Sequence, residues 1–316
     1  MSMRCHSHES NLVGQSTYVQ LGLVHILCLI FLSTTAAAQQ TFLPELARDD
    51  SASLAQNYSE TTITWIGHAT VLIQIDGVNV LTDPMWSDRS YPILGPKRIV
   101  PPGIEIDSLP NIDVVVISHN HFDHLDSYSV EQLWSRNKPL FLVPKGIKKW
   151  FDAEDISKAE ELNWWDSYRV KGIIFFCVPA AHRGSTIFFS KRDETDLCAG
   201  WVICGQKDTI YFAGDTDYFN GFKTIAQRIY PIHIALLPIA PAVGPHLHGQ
   251  KVIHAFLDLR AHYLVPVHWG TFEQDITPNE SAVDRLKDAI NKSSIPHDRV
   301  LILRHGETIK LPQVIR

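Results

Sequence analysis

The densest chemistry in the chain sits in six consecutive residues, His119-Asn120-His121-Phe122-Asp123-His124. Imidazole nitrogens beside a carboxylate suit zinc and similar divalent ions, which accept nitrogen and oxygen donors in one shell. His119 and His121 alternate, so in an extended stretch both project to one side and grip one ion. Asp123 and His124 fall in the following turn, within reach of a second ion beside the first. A single histidine is more often structural than ligating. Four donors packed directly behind an apolar run, Asp113–Ser118, point instead to a metal.

Four donors do not complete two sites, so further ligands are expected at other strand ends. His182 follows Cys177-Val178-Pro179-Ala180-Ala181, Asp215 follows Tyr211-Phe212-Ala213-Gly214, and His268 follows Val265-Pro266-Val267. Each alone has a plain alternative, such as a turn residue for Asp215 or a capping side chain for His182. Together they extend the cluster to seven donors. Asp83 either orients a ligand imidazole or ends a turn before Pro84, and His68 either lines the site or caps a strand junction.

The elements that must position these residues are short and β-rich. Thr61–Ile66, Val71–Ile75 and Val78–Thr82 read as consecutive antiparallel strands, with Asp76-Gly77 as a hairpin turn. Asp113–Ser118, Leu140–Val143, Ile173–Val178, Trp201–Cys204, Thr209–Ala213, Ile234–Leu237, Tyr263–Val267 and Val300–Leu303 continue the series. Helices lie between them. Ser129-x-x-Gln132 reads as a capping box for a helix through about Arg136. Thr277-Pro278-x-Glu280 reads as the start of another, with Val283, Leu286 and Ile290 on its apolar face. Strands with interspersed helices over residues 61–316 predict an α/β fold, an αβ/βα sandwich of two mixed sheets flanked by helices.

The bulk properties narrow the field. The 316 residues are 45% hydrophobic and 20% charged, as in an ordinary globular protein, and the net charge of −6 gives no pull toward nucleic acid. Residues 1–38 read as a signal peptide: the apolar run Leu21–Leu32 is too short to span a bilayer, and Ala36-Ala37-Ala38 suits cleavage before Gln39. Residues 39–60 are a polar linker or arm. Export to the periplasm or a membrane-associated state follows as an expectation. Past residue 38 remain Cys177, Cys198 and Cys204, an odd set without CxxC spacing, read as buried thiols.

From about residue 61 to 275 the chain resembles the metallo-β-lactamase superfamily. Within it, the likeness is to the N-acyl-phosphatidylethanolamine-hydrolysing phospholipase D group and its bacterial relatives. Besides Ser118–Asp126, the resemblance rests on Trp65-Ile66-Gly67-His68-Ala69-Thr70, Leu81-Thr82-Asp83-Pro84, Gly95-Pro96-Lys97-Arg98 and Asn163-Trp164-Trp165. It continues through Phe212-Ala213-Gly214-Asp215-Thr216, Leu237-Pro238-Ile239 and His268-Trp269-Gly270-Thr271-Phe272.

The resemblance implies two zinc ions, one held by His119, His121 and His182, the other by Asp123, His124 and His268, with Asp215 between them. Such a pair lowers the pKa of a shared water and polarises a phosphoryl oxygen, so no Ser or Cys nucleophile is needed. Asp123 and Asp215 are thereby catalytic as well as ligating. His248 best matches the group's loop histidine, as proton donor or phosphate contact, with His246 the competing choice. Two stretches depart from the group: Ala240–His248 is smaller, and Arg183-Gly184-Ser185-Thr186 replaces a tryptophan-containing run.

The implied reaction is hydrolysis of a phosphodiester, extending to an N-acyl phospholipid cleaved to phosphatidic acid and an N-acylethanolamine. A lactonase or other cyclic-ester hydrolase is the alternative, and a non-catalytic metal-binding envelope protein a third reading. The expected partners are a small-molecule or phospholipid substrate and a peripheral membrane contact, with no nucleic acid; a homodimer is left open. Trp150, Phe151, Trp164 and Trp165 either rim an acyl site or pack the core.

Overall fold

The computed structural model describes residues 60–182, 197–240, 246–275 and 281–311. A three-stranded antiparallel meander comes first: β1 (Thr62–Gly67), β2 (Thr70–Ile75) and β3 (Val78–Thr82). β2 and β3 turn at Asp76-Gly77, where φ of 47° and 79° gives the twist that a tight two-residue hairpin needs. β4 (Val114–Val116) and β5 (Leu140–Pro144) extend the sheet in parallel, with α1 (Ser127–Asn137) crossing between them. α2 (Lys148–Ala153) then leads to β6 (Ala159–Leu162).

A second sheet begins with β7 (Ser167–Val170), β8 (Ile173–Pro179), β9 (Ala199–Cys204) and β10 (Thr209–Phe212), all antiparallel. It continues in parallel through α3 (Gly221–Arg228) to β11 (Ile234–Pro238) and through α4 (Gln250–Leu259) to β12 (Tyr263–Val267). After α5 (Ala282–Asn291), β13 (Thr308–Lys310) pairs with β1. The sheet orders are β13-β1-β2-β3-β4-β5-β6 and β12-β11-β10-β9-β8-β7.

The two-residue period of a strand explains the layering. Val114 and Val116 join the core shared with Phe175, Trp201 and Tyr211 of the second sheet. Val115, between them, joins Phe141 and Val143 with Val130 and Leu133 of α1 and Phe151 of α2. A strand buried on both faces reads as an unbroken apolar run, which is why Asp113–Ser118 shows no alternation. Phe222, Ile225, Val252, Phe256, Val283 and Leu286 bring α3, α4 and α5 onto the second sheet. The result is the expected sandwich of two mixed sheets flanked by helices.

Local details differ from expectation for physical reasons. Ser129 does not cap α1: Asp126 does, accepting from the Ser129 backbone N–H, because a carboxylate can also take the Ser129 and Ser87 hydroxyls. α5 begins at Ala282 with Ser281 as its cap, accepting from Asp284 N at 3.0 Å. The expected Thr277-Pro278-x-Glu280 start lies outside the described residues, while the apolar face Val283–Leu286–Ile290 is buried as expected. Val300–Leu303 is not a strand; Val300 forms a single bridge to Leu264, and Val300 and Leu303 are buried without a ladder. Asp113–Ser118 pairs as a strand only over Val114–Val116.

The sequence reading missed β6, β7 and β13. Each ends a sheet or is only three or four residues long, and exposed Glu160 and Glu161 hide the pattern of β6. Cys177 and Cys198 are buried free thiols and Cys204 is half-buried. The expected signal peptide, the arm up to residue 59, Arg183–Thr186 and residues 241–245 lie outside the described residues. Among the described residues, no helix is long and apolar enough to cross a membrane.

Candidate metal centre

Each cluster residue sits just beyond a strand's C-terminal end: His68 after β1, Asp83 after β3, His119 to His124 after β4, His182 after β8, Asp215 after β10 and His268 after β12. Parallel strands open their C-terminal ends onto one crevice, which is where α/β sheets bind ligands. His68 lies in the turn between β1 and β2. The two sheets are tied at the mouth of the site, where Ala199 N donates to Ser118 O and Trp201 Nε1 donates to Ile117 O, both at 2.9 Å. Gly214 permits the closest approach: at φ +57°, a Cβ there would lie 2.3 Å from the Ser118 Cβ, so only glycine brings Asp215 against the histidine run.

Ser118 and Asp83 set the ring orientations. Ser118 Oγ–H donates to Asp83 Oδ2 at 2.5 Å and so is left to accept from His119 Nδ1–H at 2.9 Å. His124 Nδ1–H donates to the same Asp83 Oδ2 at 2.7 Å. In their neutral forms both imidazoles then carry the bare lone pair on Nε2, aimed into the cluster. A carboxylate fixing the tautomer of a ligand histidine is a recurrent feature of metal sites, so of the two roles open to Asp83 the orienting one is realised.

Donor atoms then converge in two neighbouring groups, each within 4.8 Å: His119, His121, His182 and Asp215; and His68, Asp123, His124 and His268. Ligands around a tetrahedral ion at 2.0–2.1 Å stand about 3.3 Å apart. The recorded spacings bracket that value: His119 Nε2 to His121 Nδ1 is 2.8 Å, His121 Nδ1 to His182 Nε2 3.3 Å, and His124 Nε2 to His268 Nε2 3.2 Å. Asp215 lies between the groups, with Oδ1 3.2 Å from His268 Nε2, and Oδ2 3.4 Å from His124 Nε2 and 3.8 Å from His182 Nε2. Facing lone pairs repel unless a cation separates them, so the donor set fits divalent metal.

The electrostatics agree. Burial holds His119 well below the ordinary histidine pKa, and holds His182 and His268 down to about 4, leaving neutral imidazoles with free lone pairs at pH 7. Burial opposes ionisation of Asp123 and Asp215 too, but the surrounding histidines outweigh it and keep both well below the usual carboxylate range. His124 goes the other way. Burial would lower it, yet Asp215 and Asp123 raise it well above its ordinary value in the metal-free protein.

A family model described as a β-lactamase superfamily domain matches residues 78–269. The chain belongs to the metallo-β-lactamase superfamily. An uncharacterized protein of Mycobacterium tuberculosis is 38% identical over 256 residues, covering 77% of this chain and 66% of that protein. The N-acyl-phosphatidylethanolamine-hydrolyzing phospholipase D 1 of Caenorhabditis elegans is 34% identical over 234 residues, covering 68% of this chain and 65% of that one. The chain thus spans just under two thirds of the length of these curated relatives. Among solved structures, a metallo hydrolase of the archaeon Ignicoccus hospitalis shares the fold, with a TM-score of 0.62 at 21% identity over 80% of this chain and 99% of that one. A UPF0173 metal-dependent hydrolase of Methanopyrus kandleri is 27% identical over 78% of this chain and 98% of that one, and this chain carries a His/Asp cluster able to bind metal.

The structure brings all seven sequence-derived donors of this metallo-β-lactamase cluster together and sets three further residues beside them, His246, Gln274 and His68. His246 directs its Nε2 to Asp215 Oδ2 at 3.4 Å, with its ring 5.1 Å from that of His182. His248, favoured from the sequence, instead has Lys251, Arg285 and Asp217 as its leading electrostatic neighbours. Leu247 between them is wholly buried. Gln274 donates to Asp123 Oδ2 at 3.4 Å, a role for which the sequence carried no signal. His68 had one, its place in Gly67-His68-Ala69-Thr70, and it does line the site, 3.2 Å from Asp123 Oδ2.

Of the four aromatics considered as an acyl rim, Phe151, Trp150 and Trp165 pack against neighbours, while Trp164 stays exposed. Phe151 is fully buried against Phe141 at 4.9 Å, a burial that stabilises by roughly 3 kcal/mol and leaves nothing to face a ligand. Trp150 packs on Phe151, Trp164 Nε1 donates to Cys198 O, and Arg228 lies over Trp165.

Proposed function

We propose that the protein is a dinuclear zinc phosphodiesterase of the phospholipase D type. Its substrate would be an acylated phosphodiester such as an N-acyl-phosphatidylethanolamine, released as phosphatidic acid and an N-acylethanolamine. The observation that carries this reading is the carboxylate of Asp215, whose two oxygens reach donors of both groups. One ion would lie with His119, His121 and His182, the other with Asp123, His124 and His268, with Asp215 shared. Two divalent ions there would supply hydroxide near neutral pH and polarise the phosphoryl oxygen.

The chain's own residues do the rest. Asp83 and Ser118 hold the ligand rings in one tautomer. His246, rather than His248, is the side chain placed to pass a proton from Nε2 to the departing alkoxide. At Phe122, next to Asp123 in the chain, lies a recess of about 380 Å³ walled by Tyr91, Pro92, Ile93, Phe122, Leu125 and Tyr128, with Ser87, Asp88, Arg89, Asp126 and Ser127 completing its lining, large enough for part of an acyl chain. Ile93 and Leu94 at its lip are 84% and 89% exposed, and they support contact with a lipid surface by an exported enzyme.

The test is mass spectrometry of products after incubating metal-loaded protein with N-acyl phospholipids, simple phosphodiesters and lactones. Release of N-acylethanolamine, with about two zinc ions per chain by elemental analysis, is expected. Turnover of lactones alone would replace this reading with a lactonase, and a folded protein that takes up no metal would end it.

A further inference from the structure

The histidine ligands are oriented by Asp83 and Ser118, but Asp123 is held by something else. Its Oδ2 lies 3.2 Å from His68 Nε2 and 3.4 Å from Gln274 Nε2. The orientation of the Gln274 amide is decided by its Asp123 end, because an ionised carboxylate only accepts, and its far end then takes the hydroxyl of the wholly buried Ser90 on Oε1 at 3.0 Å. A flipped amide could still bond Ser90 but would set oxygen against a carboxylate, so the NH₂ faces Asp123. Gln274 itself is carried by the turn Glu273–Asp275, which Asp275 Oδ2 closes by accepting from Thr271 N and Phe272 N at 2.8 and 2.9 Å.

His68 is held with equal care. It adopts φ +50°, a left-handed conformation uncommon outside glycine, and three hydrogen bonds enforce it. His68 N donates to Thr271 Oγ1, while His68 O accepts from His268 N and Trp65 Nε1. The ring has one partnered nitrogen: Nδ1 is buried and makes no hydrogen bond. A neutral imidazole carries one N–H, and a buried N–H is the costlier group to leave unpaired. The proton therefore belongs on Nε2, where Asp123 accepts it, and the bare lone pair on Nδ1. With the proton on Nε2, that nitrogen is no ligand, although it lies within ligand distance of Asp123, His124 and His268.

We infer that His68 and Gln274 are positioning residues that clamp Asp123 for the second metal site, and that Ser90 locks the Gln274 half of the clamp. Because Ser90 opens the turn through Tyr91 and Ile93 that walls the recess, the same bonds join the recess to a metal ligand. This rests on the metal reading above. Hydrogen-bonded supports of metal ligands are typically worth about 10–100-fold in metal affinity.

The test uses the full chain with zinc alone as the probe, measuring ions per chain, affinity by chelator competition and Tm in excess chelator. Gln274→Met, at a half-buried position, and His68→Phe should each weaken one of two zinc ions by about 10–100-fold, with Ser90→Ala losing less than about 10-fold. The other ion and the metal-free Tm should stay at wild-type values. Wild-type affinity for both ions in Gln274→Met and His68→Phe would overturn the clamp, as would a fall in metal-free Tm that accounts for the loss. A His68→Phe protein that holds only one ion even at saturating zinc would make His68 a ligand and equally overturn it. Wild-type protein binding no zinc would instead defeat the proposed function.

Discussion

The two sheets supply the metal centre in opposite ways. The first delivers His119, His121, Asp123 and His124 within a single turn after β4 and orients two of them with Asp83 from the neighbouring β3. The second delivers one donor per strand end, His182, Asp215 and His268, with His246 following β11. A contiguous cluster needs only local geometry to converge. A dispersed one needs the register of four strands and a glycine, Gly214, where the sheets approach too closely for any side chain. The lesson is that the second sheet's donors are exposed to every change in how the sheets sit together, while the first sheet's donors travel as a unit.

Asp215, where the two contributions meet, should show the largest effect. Asp215→Ala is expected to lower turnover at least about a thousandfold, roughly 4 kcal/mol, and to reduce the zinc bound per chain. His121→Ala and His182→Ala, one donor from each sheet for the same ion, should fall by a similar amount and each lose one ion. Elemental analysis that found two ions in either variant would break the equivalence of the two contributions.

The seam between the sheets can be loosened without touching a ligand. Trp65 of β1 stacks on Trp269 at 5.1 Å, and the buried His305 meets Trp65 edge-on at 4.5 Å while bonding Thr271 and Pro101. Burial lowers the His305 pKa to about 4. The unfolded chain therefore binds this proton first as pH falls, so the stability held by neutral His305 is complete above about pH 6.5 and lost between there and about 4. That loss is roughly 3 kcal/mol. Denaturant unfolding of metal-free wild type and His305→Gln at pH 7 and pH 4 should show an acid loss smaller by about that amount in the variant. An unchanged difference would remove His305 from the seam.

Smaller effects separate the residues of one loop. His246→Ala should lower turnover about 100-fold and His248→Ala only a few-fold; the reverse order would restore His248 as the proton donor. Weakest of all, Ile93→Ser with Leu94→Ser should raise KM a few-fold for substrate in vesicles and leave kcat on a short-chain soluble diester unchanged.

What was legible in the sequence was whatever repeats within a few residues. The apolar runs of β3 and β12 were read at their full extent, because burial on the sheet leaves a pattern at short range. The four donors after β4 were legible for the same reason, and the places of His182, Asp215 and His268 just behind apolar runs supplied the other three. Edge strands β6, β7 and β13 were not, since one polar face and a few residues leave too little pattern.

Only the tertiary structure decided which loop histidine faces Asp215, that Asp83 rather than a turn claims His124, and that Gln274, 151 residues from Asp123, reaches its carboxylate. Donor chemistry is a property of residue type and survives in one dimension. Orientation and tautomer are properties of distances between remote backbones, and they exist only once the sheets have closed on each other.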